Sequence, residues 1–136
     1  MDLGHAREHL RANHHAVMST IRRDGRPQLS PVVCGMDAEG FAVVSTRETA
    51  YKTRNLRRDP RVSLCVLPDG FFGEWVQVDG MATVVDLPEA MDGLVDYYRL
   101  VAGEHPDWDD YRNAMEREGR VLVRIELTRA GPSYSG

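Results

Sequence analysis

Apolar and polar residues alternate with period two over residues 15–23, HAVMSTIRR. Ala16, Met18 and Thr20 share one face there, and Val17, Ser19 and Ile21 the other. That pattern predicts a half-buried strand. Asp24-Gly25-Arg26-Pro27 then reads as a tight turn, because Asp-Gly tolerates positive φ and proline bars a helix. Residues 28–36, QLSPVVCGM, predict a second strand. Pro31 inside it removes a ladder donor, so an edge, a bulge or a site is expected at that point. Asp37 to Gly40 turn the chain again, and residues 41–46, FAVVST, are apolar on both faces of a third strand. Residues 61–68, 75–86 and 120–128 complete a set of six, with Gly80 expected as a bulge or bend.

Helical spacing fills the gaps. Asp2 can cap a short helix that carries Leu3, Ala6 and Leu10 on one side and ends near Asn13. A second helix is expected from about Thr49 to Arg58, stopped by Asp59-Pro60. After Pro88, residues 89–103 place Met91, Leu94, Val95, Tyr98 and Val101 on one face, with Gly103 as the stop. Asp107 can cap a last helix through Glu118, with Trp108, Tyr111 and Met115 inward. Strands joined by tight turns, with helices grouped rather than alternating, exclude a doubly wound parallel sheet. The expectation is a mostly-β (α+β) domain: a six-stranded antiparallel barrel with flanking helices, spanning residues 1–136 as one unit.

Composition narrows the function. A chain of 136 residues with 42% hydrophobic and 28% charged residues suits one soluble domain with a real core. Its apolar runs are strand-sized, so no membrane span is expected. The charged start MDLGHAREHL lacks the apolar centre of a secretion signal. Cys34 and Cys65 fit no metal or redox spacing, and reduced thiols in a cytoplasmic protein are the simplest account.

Charge is unevenly placed. The formal net charge is −4, yet residues 52–61 hold five bases (Lys52, Arg54, Arg57, Arg58, Arg61) and one acid, Asp59. Between Asp79 and Asp110 lie nine acids and only one base, Arg99. An acidic chain is a poor nucleic-acid binder, so the run is either a solvated helix face or a local anion site. At about 100° per residue, Lys52, Leu56, Thr49 and Asn55 fall on one side of the helix. Arg54, Arg57 and Arg58 fall on the other. Leu56 must face the core, which puts Lys52 and Asn55 beside the buried seam and the arginines outward. A lysine in the first turn of a helix, with Ser45 and Thr46 at the end of the preceding strand, is a reasonable phosphate grip.

Other candidate chemistry is thin. HAREH (5–9) matches H-x-x-E-H, a zinc-protease pattern, but the amphipathic helix already explains it and no metal site is expected. His14 and His15 point opposite ways in a strand. His105 sits in an acidic loop. There is no G-x-G-x-x-G and no P-loop. Tyr51, Tyr98 and Tyr134 are proton-donor candidates by residue type alone, so the catalytic residue stays open. GFFGEW (70–75) is either an aromatic wall for an apolar substrate or barrel-end packing.

Three motifs in order, DGRPQLS (24–30), KTRNLRRDPR (52–61) and GEHPDWDDYR (103–112), carry a family resemblance over residues 9–127. The chain resembles the pyridoxamine 5′-phosphate oxidase-like split β-barrel superfamily. Within it, the chain is most similar to the deazaflavin (coenzyme F420)-dependent reductases of actinobacteria. The resemblance implies a homodimer with two cofactor sites at its interface. It implies a ring lying against Ser30, Pro31, Val32 and Val33, and a cofactor phosphate near Ser45, Thr46 and Lys52, with Asn55 on the same face. F420 carries an acidic oligoglutamate tail that FMN lacks, and Arg54, Arg57 and Arg58 offer it positive charge. Relatives often have an arginine where this chain has Ala50, and Arg47 is the expected substitute. The implied activity is hydride transfer between the deazaflavin and a small organic substrate. An FMN-binding oxidase and a non-catalytic F420-binding protein are the alternatives.

Overall fold

The structure, a computed structural model, describes all of residues 1–136. The chain runs α1 (Leu3–Ala12), β1 (His15–Ile21), β2 (Pro27–Val33), β3 (Gly35–Met36), β4 (Ala42–Arg47), α2 (Tyr51–Arg58), β5 (Arg61–Leu67), β6 (Val76–Val85), α3 (Met91–Ala102), α4 (Trp108–Glu118) and β7 (Arg120–Ser133). All strand pairs are antiparallel, in the order β2-β1-β5-β6-β7-β4-β3.

There are seven strands rather than six, because the stretch expected as one strand over 28–36 is two. After Val33 the Cys34 N–H donates to His14 O at 2.7 Å, and the chain then leaves β1. Gly35 and Met36 pair instead with Val43 and Ala42 of β4. Two segments one residue apart in sequence therefore sit at opposite ends of the sheet, which curls it into a barrel-like shell. The last strand also runs on to Ser133, beyond the expected 128, through a register shift at Asp79/Gly80. Gly80 is the reason that shift fits: a Cβ there would lie 2.4 Å from Glu126 O.

The shell is filled by one apolar core. Ala16 and Met18 of β1, Leu64 and Val66 of β5, and Val123 and Ile125 of β7 meet Ala6 and Leu10 of α1 and Leu56 of α2. A second core joins Leu94, Val95 and Tyr97 of α3, and Tyr111 and Met115 of α4, to Val43 and Leu122 on the outside of β4 and β7. This explains why β4 is apolar on both faces. Tyr97, rather than Tyr98, takes the fully inward position on α3. α3 starts at Met91, because Asp86 to Ala90 first make a turn closed by Ala90 N–H to Asp86 O (2.9 Å). The outer face of β2 and β1 is different. Leu29, Pro31 and Val33 are exposed there, and no helix covers them.

Candidate functional site

The first turn of α2 sets the geometry. The helix begins at Tyr51, not Thr49, and buries Thr53, Asn55 and Leu56. Thr53 Oγ1 donates to Arg47 O at 2.6 Å, tying the helix start to the end of β4. Thr49 is left exposed outside the helix, and Thr53 takes the inner position. Ala50 is the N-cap and offers no side-chain acceptor to the first N–H groups. Lys52 is thereby held half-buried beside the sheet.

Lys52 borders a groove of about 520 Å³. One side is the free edge of the sheet, at Pro31, Val32 and Val33 of β2. The floor holds Ser45 and Thr46 of β4 and Arg120 of β7, and the far wall is Tyr97, Tyr98, His105 and Tyr111. Six of the eleven residues expected at a cofactor site thus border one cavity. Pro31 lies on an edge strand, where its missing N–H costs no interior ladder bond.

Two cations, Lys52 and Arg120, and two carboxylates, Asp110 and Glu118, border the groove. Lys52 makes no hydrogen bond and no ion pair within the chain. Partial burial lowers its amine pKa from the usual 10.5, and the nearby Arg120 guanidinium lowers it further. Arg120 donates to Glu118 Oε1 through Nε (3.0 Å) and Nη2 (2.8 Å). The second cation beside Lys52 is therefore Arg120. Arg47, the expected substitute for an arginine at position 50, is exposed and reaches Glu118 at 3.4 Å without bordering the groove.

The aromatic wall is fixed by its own bonds. Tyr97 Oη donates to Val33 O at 2.8 Å, which ties α3 to the end of β2. Tyr111 Oη donates to Leu94 O at 2.8 Å. Burial pushes both phenols up to about 12, so neither gives up its proton near neutral pH. His105 lies 5.1 Å from the Tyr98 ring. Its Nδ1 accepts the Asp107 N–H at 2.9 Å, so the neutral ring carries its proton on Nε2. Of the three tyrosines considered as proton donors, only Tyr98 borders the groove. Tyr51, beside Lys52 at the start of α2, is exposed and borders a different cavity, and Tyr134 donates to Glu74. Tyr97, Tyr111, His105 and Arg120 were not legible as site residues, because their approach to β2 and Lys52 is made by tertiary packing.

The remaining expected residues go elsewhere. Ser30 Oγ is buried without a partner, on the same side of the sheet as Met18. Asn55 Nδ2 donates to Thr20 Oγ1 at 3.1 Å, and its Oδ1 accepts from Arg58 at 3.3 Å. Asn55, Arg54 and Arg58 border a separate cavity on the other side of α2. Arg57 borders neither, because it is paired with Asp86 at 2.5 and 3.2 Å. Phe71 and Phe72 are exposed and stack edge to face at 4.8 Å, away from the groove. No three His, Cys, Asp or Glu side chains converge on a point that could hold a metal.

Residues that fit a flavin-type group are therefore present. An uncompensated cation and an uncapped helix start lie at one end of the groove, and a flat strand edge and a bonded aromatic wall lie along it. Comparison with solved structures gives the same architecture. A conserved hypothetical protein from Mycobacterium tuberculosis superimposes with a TM-score of 0.77 at 26% identity, over 96% of this chain and 82% of that one. An F420 reductase matches with a TM-score of 0.69 at 19% identity, over 91% and 94%. The haem storage protein HutZ from Vibrio cholerae matches with a TM-score of 0.69 at 17% identity, over 98% and 96%. At the level of sequence, residues 3–132 match the pyridoxamine 5′-phosphate oxidase family, which is nearly the whole chain. By that match, and by the curled antiparallel sheet that carries it, the chain belongs to the pyridoxamine 5′-phosphate oxidase family.

Proposed function

We propose that the groove binds coenzyme F420 and that the chain is an F420-dependent oxidoreductase acting on a small organic substrate. The observation that carries this reading is Lys52: a half-buried ammonium with no counter-ion, bordering a groove whose two acids are Asp110 and Glu118, the latter already paired with Arg120. A buried charge without a partner is costly, and an anionic group on the ligand removes that cost. Lys52 and Arg120 hold the phosphate, with Ser45 and Thr46 offering hydroxyls. The edge of β2 at Pro31 to Val33 beds the ring, and Tyr97, bonded to Val33, keeps that edge in place. Tyr98 and His105 wall the opposite side. The Nε2–H of His105 and the phenol of Tyr98 are the groove's remaining exchangeable protons.

The deazaflavin supplies hydride chemistry when bound. The chain's own share is to orient the ring, limit water on its covered side and hold the phosphate. A homodimer completes the reading. The outer face of β2 and β1 presents Leu29, Pro31 and Val33 beside the groove, and a second copy placed there closes both.

Side-by-side titration of the purified protein with F420, FMN and haem, by fluorescence quenching or calorimetry, tests the cofactor. The expected result is tightest binding of F420. Tighter binding of FMN or haem refutes it. Reoxidation of reduced F420 by candidate acceptors in a single turnover then separates an enzyme from a binding protein.

A further inference from the structure

α4 runs along the groove. Asp110, Ala114 and Glu118, four residues apart on one helix face, all border it. Glu118 meets Arg120, the neighbour of Lys52, at one end. An 11-residue helix puts its first turn about 15 Å from its last. His105, just ahead of that first turn, therefore borders the groove far from the two cations.

The linker that carries His105 is fixed at both ends. Gly103 stops α3 at φ 82°, and its N–H donates to Arg99 O at 3.1 Å. Glu104 accepts from Arg99 Nε (2.9 Å) with one carboxylate oxygen and from Trp108 Nε1 (3.1 Å) with the other. The Arg99 guanidinium lies over the Trp108 ring at 4.8 Å, and Asp107 caps α4 by accepting the Asp110 N–H. Three rings pack around the imidazole, with centroids at 5.1 Å for Tyr98, 5.6 Å for Tyr111 and 5.7 Å for Trp108.

The bond at Nδ1 decides what this ring can do. A histidine that moves protons usually donates Nδ1–H to a carboxylate or a carbonyl. Here the direction is reversed, because the Asp107 N–H donates to Nδ1 at 2.9 Å. While that bond holds, Nδ1 carries no proton and Nε2–H is the single donor of the ring. Loss of that proton would leave an imidazolate, so the ring can offer a hydrogen bond but not an acid.

We propose that His105 is a catalytic hydrogen-bond donor: its Nε2–H holds the substrate atom on which negative charge gathers as hydride arrives, without transferring the proton. The role rests on the cofactor reading above, with the reduced ring as the two-electron source. Hydride forms the new bond at the substrate, and an electron pair moves onto the substrate's acceptor oxygen or nitrogen. Nε2–H stabilises that charge, and water supplies the proton that completes the reduction.

Two measurements test it. The first needs only the ligand-free wild type. Proton–nitrogen correlation spectra of histidine-labelled protein at mildly alkaline pH should show His105 protonated on Nε2, with Nδ1 a bare acceptor. The opposite tautomer overturns the proposal. The second compares wild type, His105→Phe and His105→Gln. Each is loaded with reduced F420, or with reduced FMN where titration shows FMN to be the ring that binds, and mixed anaerobically with duroquinone in a single turnover. His105→Phe keeps the aromatic packing and loses the donor. Its affinity for the ring should stay within about two-fold of wild type, since the phosphate end is remote. Its hydride-transfer rate should fall roughly 100-fold. His105→Gln, whose amide N–H takes the place of Nε2–H, should recover most of that loss, and thermal melting checks that both variants are folded. A wild type that holds the ring but reduces no duroquinone, a Phe variant as fast as wild type, or a Gln variant as slow as the Phe variant overturns the role. Binding of FMN instead of F420, with the same pattern of rates, sinks the F420 reading and leaves His105 standing. Binding of neither ring sinks both.

Discussion

Lys52 and Arg57 lie five positions apart in one basic run, and their surroundings give them opposite expected roles. Lys52 is half-buried and unpaired, whereas Arg57 is exposed and satisfied by Asp86. Lys52→Ala should weaken F420 binding by about 1.5–3 kcal/mol, the scale of a partly desolvated charged contact. Arg57→Ala should cost less than about 1 kcal/mol, since a screened surface pair contributes little. Equal losses in a binding titration would mean that Lys52 does not meet the anion. The direction of the Lys52 shift adds a pH dependence. Its pKa lies below 10.5, so its charge is lost, as pH rises, earlier than that of an ordinary lysine. Affinity for F420 should therefore begin to fall below pH 10.5. Tyr97 and Tyr111, near 12, do not titrate in that window. Lys52→Arg keeps the charge and should flatten the profile. An unchanged profile in that variant would place the titrating group elsewhere.

Among the elements, β6 and β7 show how a single missing side chain sets strand geometry. The sheet must bend where β6 crosses from its pairing with the end of β7 to its pairing with the start, and Gly80 stands at that shift. In Gly80→Ala the new Cβ would meet Glu126 O at 2.4 Å and Ile125 Cγ2 at 2.7 Å. One contact is backbone and cannot rotate away. Destabilisation of about 1–3 kcal/mol is expected, the usual cost of overpacking, read as a lowered midpoint in thermal or urea unfolding. A variant as stable as wild type would show that β7 shifts freely at this point. The Tyr97 bond has a similar function between elements, since it joins α3 to the last residue of β2. Tyr97→Phe keeps the ring but leaves Val33 O without this donor. It should cost about 1 kcal/mol of stability and weaken cofactor binding, because the strand edge that beds the ring is then less firmly held.

For the molecule as a whole, the open question is what covers the outer face of β2 and β1. Leu29 is 61% exposed and Val33 41% exposed on an edge strand, with Pro31 between them. Exposed apolar positions on a sheet edge favour association. Sedimentation at micromolar concentration should give a dimer. Leu29→Asp should give a folded monomer with the far-ultraviolet spectrum of the wild type and weaker F420 binding. A wild-type monomer would mean that each groove works open on that side.

The sequence by itself determined the elements and their class. Period-two alternation located β1, a strand-length run apolar on both faces located β4, helical spacing located α1, α3 and α4, and Asp24-Gly25 and Asp59-Pro60 marked real boundaries, because these signals are local and each is written within a few residues. It also singled out Pro31 and Gly80 as irregular, since each residue type has a backbone consequence wherever it stands. Motif order carried the family resemblance. Only the tertiary structure decided that residues 28–36 divide between two ends of one sheet. That division depends on Gly35 and Met36 finding β4 instead of β1, a choice between distant partners that no local pattern encodes. The division of the basic run was decided in the same way. Lys52, Arg57 and Arg58 carry the same charge in one run, but one meets Arg120, one meets Asp86 and one meets Ile21 O beside Asn55, and Arg120, Asp86 and Ile21 all come from distant parts of the chain. A charge's role is set by its surroundings, and those exist only after the sheet has curled and α2 has docked against it.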